Sequence, residues 1–204
     1  NDKKLYCKSE SEKYKIIFII KNPCSYKESC IYKKICEEFN YNYLSTGDIL
    51  ERICSENNKN KEYENIIENI KNGDLIPSKE MVNILKNEIL KIENCKNILI
   101  DGFPRNIENV IEWENIMNGI TVIKQILHIK ITDEEIKKRL DEDNKLKQAR
   151  NEKLQKKINI FNDNIISLTE KYKNENLLIE VDGMKKEEQI FKNLYQNFIK
   201  NKLF

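Results

Sequence analysis

Short apolar runs alternate along this chain with longer stretches whose apolar residues recur every three or four positions. Lys15–Ile20 (KIIFII) and Asn97–Ile100 (NILI) are continuous and β-branched, the pattern of strands buried on both faces. Tyr43–Leu44, Gln125–Lys130 and Leu177–Val181 predict three further strands. Helical periodicity covers about Ser29–Phe39, a stretch entered through Ser45–Asp48, Tyr63–Lys71, Ser78–Lys91, and a segment from Ile107 carrying Val110, Ile111 and Trp113. Thr132-x-x-Glu135 has the spacing of a capping box that opens another helix. After a charged run at Asp141–Glu152, a long helix reaches about Tyr172, and an amphipathic helix ends the chain. Strands alternating with helices predict an α/β fold: one parallel sheet flanked by helices on both faces. Such sheets bind ligands at the carboxyl ends of their strands. Segments 21–29, 45–52 and 101–105 all fall at such ends.

The 204 residues suffice for one domain with a real core. Basic and acidic residues nearly cancel, to a formal charge of +2, which argues against nucleic-acid binding through a clustered basic face. The longest apolar run, Ile16–Ile20, is too short to span a bilayer, so no membrane partner is expected. Six cysteines (Cys7, Cys24, Cys30, Cys36, Cys54, Cys95) show neither a C-x-x-C pair nor zinc spacing. They predict free thiols in a reducing compartment, the cytoplasm. The first residue is Asn1 rather than Met, which leaves a processed or truncated N-terminus open. His128, the only histidine, lies among apolar neighbours, as a strand residue rather than a catalytic one would.

Ser45-Thr46-Gly47-Asp48, Gly73-Asp74-Leu75-Ile76-Pro77 and Asp101-Gly102-Phe103-Pro104-Arg105 follow one another in this order and at these separations. In this the chain resembles adenylate kinases and related nucleoside monophosphate kinases from about Lys15 onward, with 1–14 as an N-terminal extension. Pro104-Arg105-Asn106-x-x-Asn109-x-x-x-Trp113 resembles the substrate side of the UMP/CMP kinase branch, where adenylate kinases usually carry Gln in place of Asn109. Thr46 points back to adenylate kinases. An Asn side chain offers both a donor and an acceptor to a base edge. The resemblance implies a P-loop kinase-type parallel sheet with a monophosphate-binding insertion over 45–76 and a shortened lid over 141–152. It also implies phosphoryl transfer from ATP, with Mg2+, to UMP, CMP or AMP, a reaction in which the protein chiefly positions groups and stabilises charge.

Carried over residue by residue, the resemblance makes Lys27 the phosphate-loop lysine and puts Ser25 and Ser29 on the nucleotide. It gives Ser29 to magnesium, Asp101 to magnesium through water, Arg139 to the transferring phosphate and Arg105 to a bidentate phosphate clamp. Thr46, Arg52, Ile76 and Asn109 fall on the monophosphate side, and Arg150 reaches in from the lid. A solvated charge is the plainer reading of Arg150, and a buried structural carboxylate the rival reading of Asp101. The family's Gly-Gly-Pro-Gly-Ser-Gly-Lys-Gly-Thr is here Lys21-Asn22-Pro23-Cys24-Ser25-Tyr26-Lys27-Glu28-Ser29, and the first glycine of the chain is Gly47. Glycines let backbone N–H groups approach phosphate; Tyr26 obstructs that approach and Glu28 adds negative charge. Glu51 and Asp143 stand where the family has arginines, and Lys157 replaces a later one. Arg52 lies one residue past Glu51, about 100° around the helix. Two readings stay open: a weakly active kinase using Lys27, Arg105, Arg139 and Asp101, and a pseudoenzyme that binds nucleotide or acts through a protein partner.

Overall fold

The computed structural model describes residues 13–23, 29–56, 63–144 and 148–204, with the backbone alone for Ser29, 139–144, 148–151 and Lys153. Five strands, β1 (Tyr14–Lys21), β2 (Asn42–Ser45), β3 (Asn97–Asp101), β4 (Thr121–Lys130) and β5 (Leu178–Asp182), form one sheet in the order β2-β3-β1-β4-β5. Every pairing is parallel. The helices are α1 (Ser29–Phe39), α2 (Thr46–Glu56), α3 (Glu64–Asn72), α4 (Ser78–Leu90), α5 (Ile107–Met117), α6 (Asp133–Asn144), α7 (Gln148–Asn174) and α8 (Glu187–Lys200).

Successive strand residues point to opposite faces, and each face has its own apolar layer. Ile16, Phe18, Ile98 and Ile100 pack on one side against residues of α2, α4, α5 and α7, among them Ile53, Leu85, Trp113 and Tyr172. Ile17, Ile19, Leu99 and Leu127 pack on the other, under Ile31, Tyr32 and Ile35 of α1 and Ile190, Leu194 and Phe198 of α8. This double cover explains why β1 and β3 are written as unbroken apolar runs. Phe18 is fully buried, with its ring centroid 4.9 Å from Trp113 and 5.3 Å from Phe103.

The elements depart from the sequence expectation in two places. β4 starts at Thr121 rather than Gln125, because Thr121, Val122 and Ile123 pair with the half-buried start of β1 across a register shift between Ile16 and Ile17. The charged run 141–152 is helical on either side of residues 145–147, in keeping with the good helix propensity of Glu, Lys, Gln and Arg. The backbone N–H of Glu135 donates to Thr132 Oγ1 at 3.3 Å, one half of the expected capping box.

His128 lies in β4, buried, with Nδ1 3.8 Å from Glu180 Oε1. Burial pushes its pKa down, Glu180 opposes that shift and Lys130 adds to it. The folded chain therefore holds a neutral imidazole where the unfolded chain, with a pKa of about 6.5, takes up a proton. Stability from this residue is present above that value and is lost as pH falls through it toward the lowered folded pKa. In His128→Asn, the loss of unfolding free energy between pH about 7.5 and about 5.5 should be smaller than in wild type, measured by urea titration. Phe18→Ala should cost about 3–5 kcal/mol in the same measurement at neutral pH, since its contacts with two rings are lost at once.

Candidate functional site

From β1 the chain passes over β3 to reach β2, and from β3 it later passes over β1 to reach β4. The two connections diverge between β1 and β3, and a crevice opens at the carboxyl ends of those strands. A cavity of about 260 Å³ occupies it, lined by the ends of β1 and β3, the start of α2, the loop residues Gly73 and Leu75, and α7.

Asp101 closes β3 and is buried. Its Oδ2 accepts from Lys21 Nζ at 2.8 Å and from the Tyr43 hydroxyl at 2.6 Å, which ties the ends of β1 and β3 to β2. Lys21 Nζ also lies 5.2 Å from the centroid of the Tyr32 ring. Burial and the Asp101 charge push the Tyr43 phenol up, so it remains a donor. Asp101 Oδ1 is buried with no hydrogen-bond partner among the described residues.

Arg105 follows on the same turn. Its Nε donates to the Gly102 carbonyl at 3.0 Å and Nη2 reaches Thr46 Oγ1 at 3.5 Å. Thr46 Oγ1 itself donates to the Asp101 carbonyl at 3.0 Å. Gly102 has φ +83°, and a Cβ there would stand 2.6 Å from Thr46 Oγ1, so the turn admits only glycine. Burial pushes the guanidinium pKa down while Asp101 opposes this, and a group that starts so high stays charged.

The cavity lining thus brings together Thr46, Asp101 and Arg105 with Lys21 and with Lys157 of α7. Asp101 is the one carboxylate among the described lining residues, against the cations Lys21, Arg105 and Lys157. Lys156, the neighbour of Lys157, is ion-paired with Asp74, which joins α7 to the loop before α4. Asn109 is not in the lining. It is 3% exposed, with Oδ1 accepting from the Arg105 backbone N–H at 3.0 Å and Nδ2 donating to Ser78 Oγ at 2.8 Å. Ile76 belongs to the core beneath. Arg52 turns to α4, where Nη2 donates to Glu88 Oε2 at 2.7 Å. Ser25 and Lys27 lie outside the described residues, as do the side chains of Ser29, Arg139 and Arg150.

Lys21 and Tyr43 were not singled out by sequence reasoning. A lysine closing an apolar strand is a common way out of a core, and nothing local marks Tyr43 as facing a carboxylate. Lys21 and Tyr43 oppose direct contact of a divalent cation with Asp101 Oδ2. Oδ2 already carries an ammonium and a phenol, whereas Oδ1 has no partner among the described residues and the side chain of Ser29 lies outside them.

Known proteins agree with this geometry. The family model for adenylate kinase matches residues 19–177. UMP-CMP kinase 3 of Oryza sativa subsp. japonica is 31% identical over 186 residues, spanning 90% of this chain and 85% of the relative. UMP-CMP kinase 2 of Caenorhabditis elegans is 28% identical over 170 residues, 82% of this chain and 87% of its own. Adenylate kinase 1 of Schistosoma mansoni is 29% identical over 190 residues, 88% and 90% respectively. Strand order, turn motifs and these matches converge, and the chain belongs to the adenylate kinase family, that of the nucleoside monophosphate kinases.

Proposed function

We propose that the cavity at the ends of β1 and β3 binds a nucleoside monophosphate, with Arg105 clamping its phosphate, and that the chain slowly transfers a phosphoryl group to it from ATP. The observation that carries this reading is the placement of Arg105. Its guanidinium is held at Gly102 and Thr46 in a cavity whose described lining has more cations than carboxylates. A monophosphate oxygen would attack the γ-phosphorus of ATP, forming one P–O bond as the bond to the departing ADP breaks. Arg105 and Lys157 would offset the charge of the two approaching phosphates. Lys27, Ser25, Ser29, Arg139 and Arg150 belong to the ATP side of the same proposal, on the family resemblance. Asp101, whose Oδ2 is held by Lys21 and Tyr43, has only Oδ1 left to offer a water of the Mg2+ that would accompany ATP.

UMP and CMP come before AMP as acceptors, on relatives that are UMP-CMP kinases. The 45–76 insertion, the short lid over 141–152 and a cytoplasmic setting are part of the same reading. The glycine-free segment 21–29 supports a second one, a pseudoenzyme that binds nucleotide or a protein partner without turnover.

Incubation with ATP·Mg and UMP, CMP, AMP or GMP, with the products separated by chromatography, decides between them. Slow formation of UDP or CDP that disappears in Lys27→Met is expected. No product from any monophosphate, at protein concentrations that reveal a single turnover, would exclude the kinase. Arg105→Met should lower kcat/KM for the monophosphate by about 100-fold or more, with little change in Tm. Asn109→Ala should weaken UMP and AMP alike, by roughly three- to tenfold, because its amide holds the Arg105 backbone. A change confined to one base would show instead that Asn109 reads the base directly.

A further inference from the structure

Lys21 stands at the position of the first glycine in the family's phosphate loop, and its ammonium meets the carboxylate that the resemblance gives to magnesium. One of the three ammonium donors goes to Asp101 Oδ2, and the side chain lines the cavity. The Tyr32 ring below and the Tyr43 hydroxyl on the same carboxylate oxygen hold the pair in place. With its side chain 16% exposed, Lys21 is not a solvated surface charge but a cation built into the wall. A cation there repels a second cation from the same oxygen and attracts phosphate.

Building on the nucleotide-binding reading above, we propose that Lys21 is an anion-binding residue. It supplies from the protein the positive charge that a divalent cation would bring to Asp101, so that a nucleoside triphosphate needs no metal ion to bind the cavity. The ligand class is the nucleoside triphosphate itself, bound equally well with and without magnesium.

Isothermal titration of the full chain with ATP, in excess Mg2+ or in EDTA, tests this, with UMP titrated beside it. Wild type should bind ATP with the same affinity in both conditions. Lys21→Met, which keeps the apolar stem and removes the charge, should weaken ATP by about tenfold or more in both. Lys21→Gly should bind ATP in Mg2+ better than in EDTA, since Asp101 is then uncovered. Thermal melts establish that each variant folds, and Lys21→Met decides alone if the glycine variant does not. A requirement for Mg2+ in wild type, wild-type ATP affinity in Lys21→Met, or no ATP binding at all would each overturn the inference. The monophosphate reading is judged separately. UMP binding that is lost in Arg105→Met would leave it standing even if Lys21 proved irrelevant, whereas failure of wild type to bind UMP would remove it.

Discussion

A parallel sheet covered on both faces leaves its central strands almost no place for a polar side chain except where they end. In β1 and β3 every residue from Ile16 to Ile20 and from Ile98 to Ile100 is buried and apolar, and polarity resumes at Lys21 and Asp101. Because the strands run in one direction, these ends lie side by side, and Tyr43 of β2 joins them. Taking an ammonium and a carboxylate out of water is unfavourable, and the pair persists because Oδ2 receives two donors. Removing either partner would leave the other charge buried. The same contact that joins the ends of β1 and β3 to β2 also fixes the charge of the cavity floor.

Around that floor a second set of hydrogen bonds holds the arginine. Asn109 accepts from the backbone of Arg105 and donates to Ser78, which donates to Glu108 at 3.0 Å, so the starts of α4 and α5 brace the turn that carries the guanidinium. Asn106 caps α5 by accepting from the Asn109 backbone at 2.8 Å. Side chains placed by helix starts and strand ends are held more closely than side chains on long loops, which is what recognition of a phosphate requires. The ion pair between Lys156 and Asp74 brings α7 to the loop before α4.

Much of this was legible in the sequence, and the reason differs by residue. Buried strands and amphipathic helices announce themselves by period, because burial on two faces or one is a local property of the pattern. Gly102 and Arg105 were legible through the motif around them, since a turn with positive φ tolerates only glycine and the arginine follows at a fixed offset. Asn109 was legible as a site residue by position, but the period could not say that both ends of its amide are occupied by Arg105 and Ser78. Arg52 carries a charge suited to phosphate, yet α2 turns it toward Glu88 of the neighbouring helix.

By itself, then, the sequence determined the alternation of elements, the parallel sheet, the family and the position of the arginine turn. All of these rest on spacing within short segments. Only the tertiary structure decided that Lys21, the last residue of β1, and Tyr43 of β2 meet Asp101, which lies 80 and 58 residues away along the chain. Strand order is set by how whole helices pack across the sheet, and no local pattern specifies which strand end will stand beside which. The charge that a carboxylate meets at the bottom of this cavity is therefore a property of the assembled sheet.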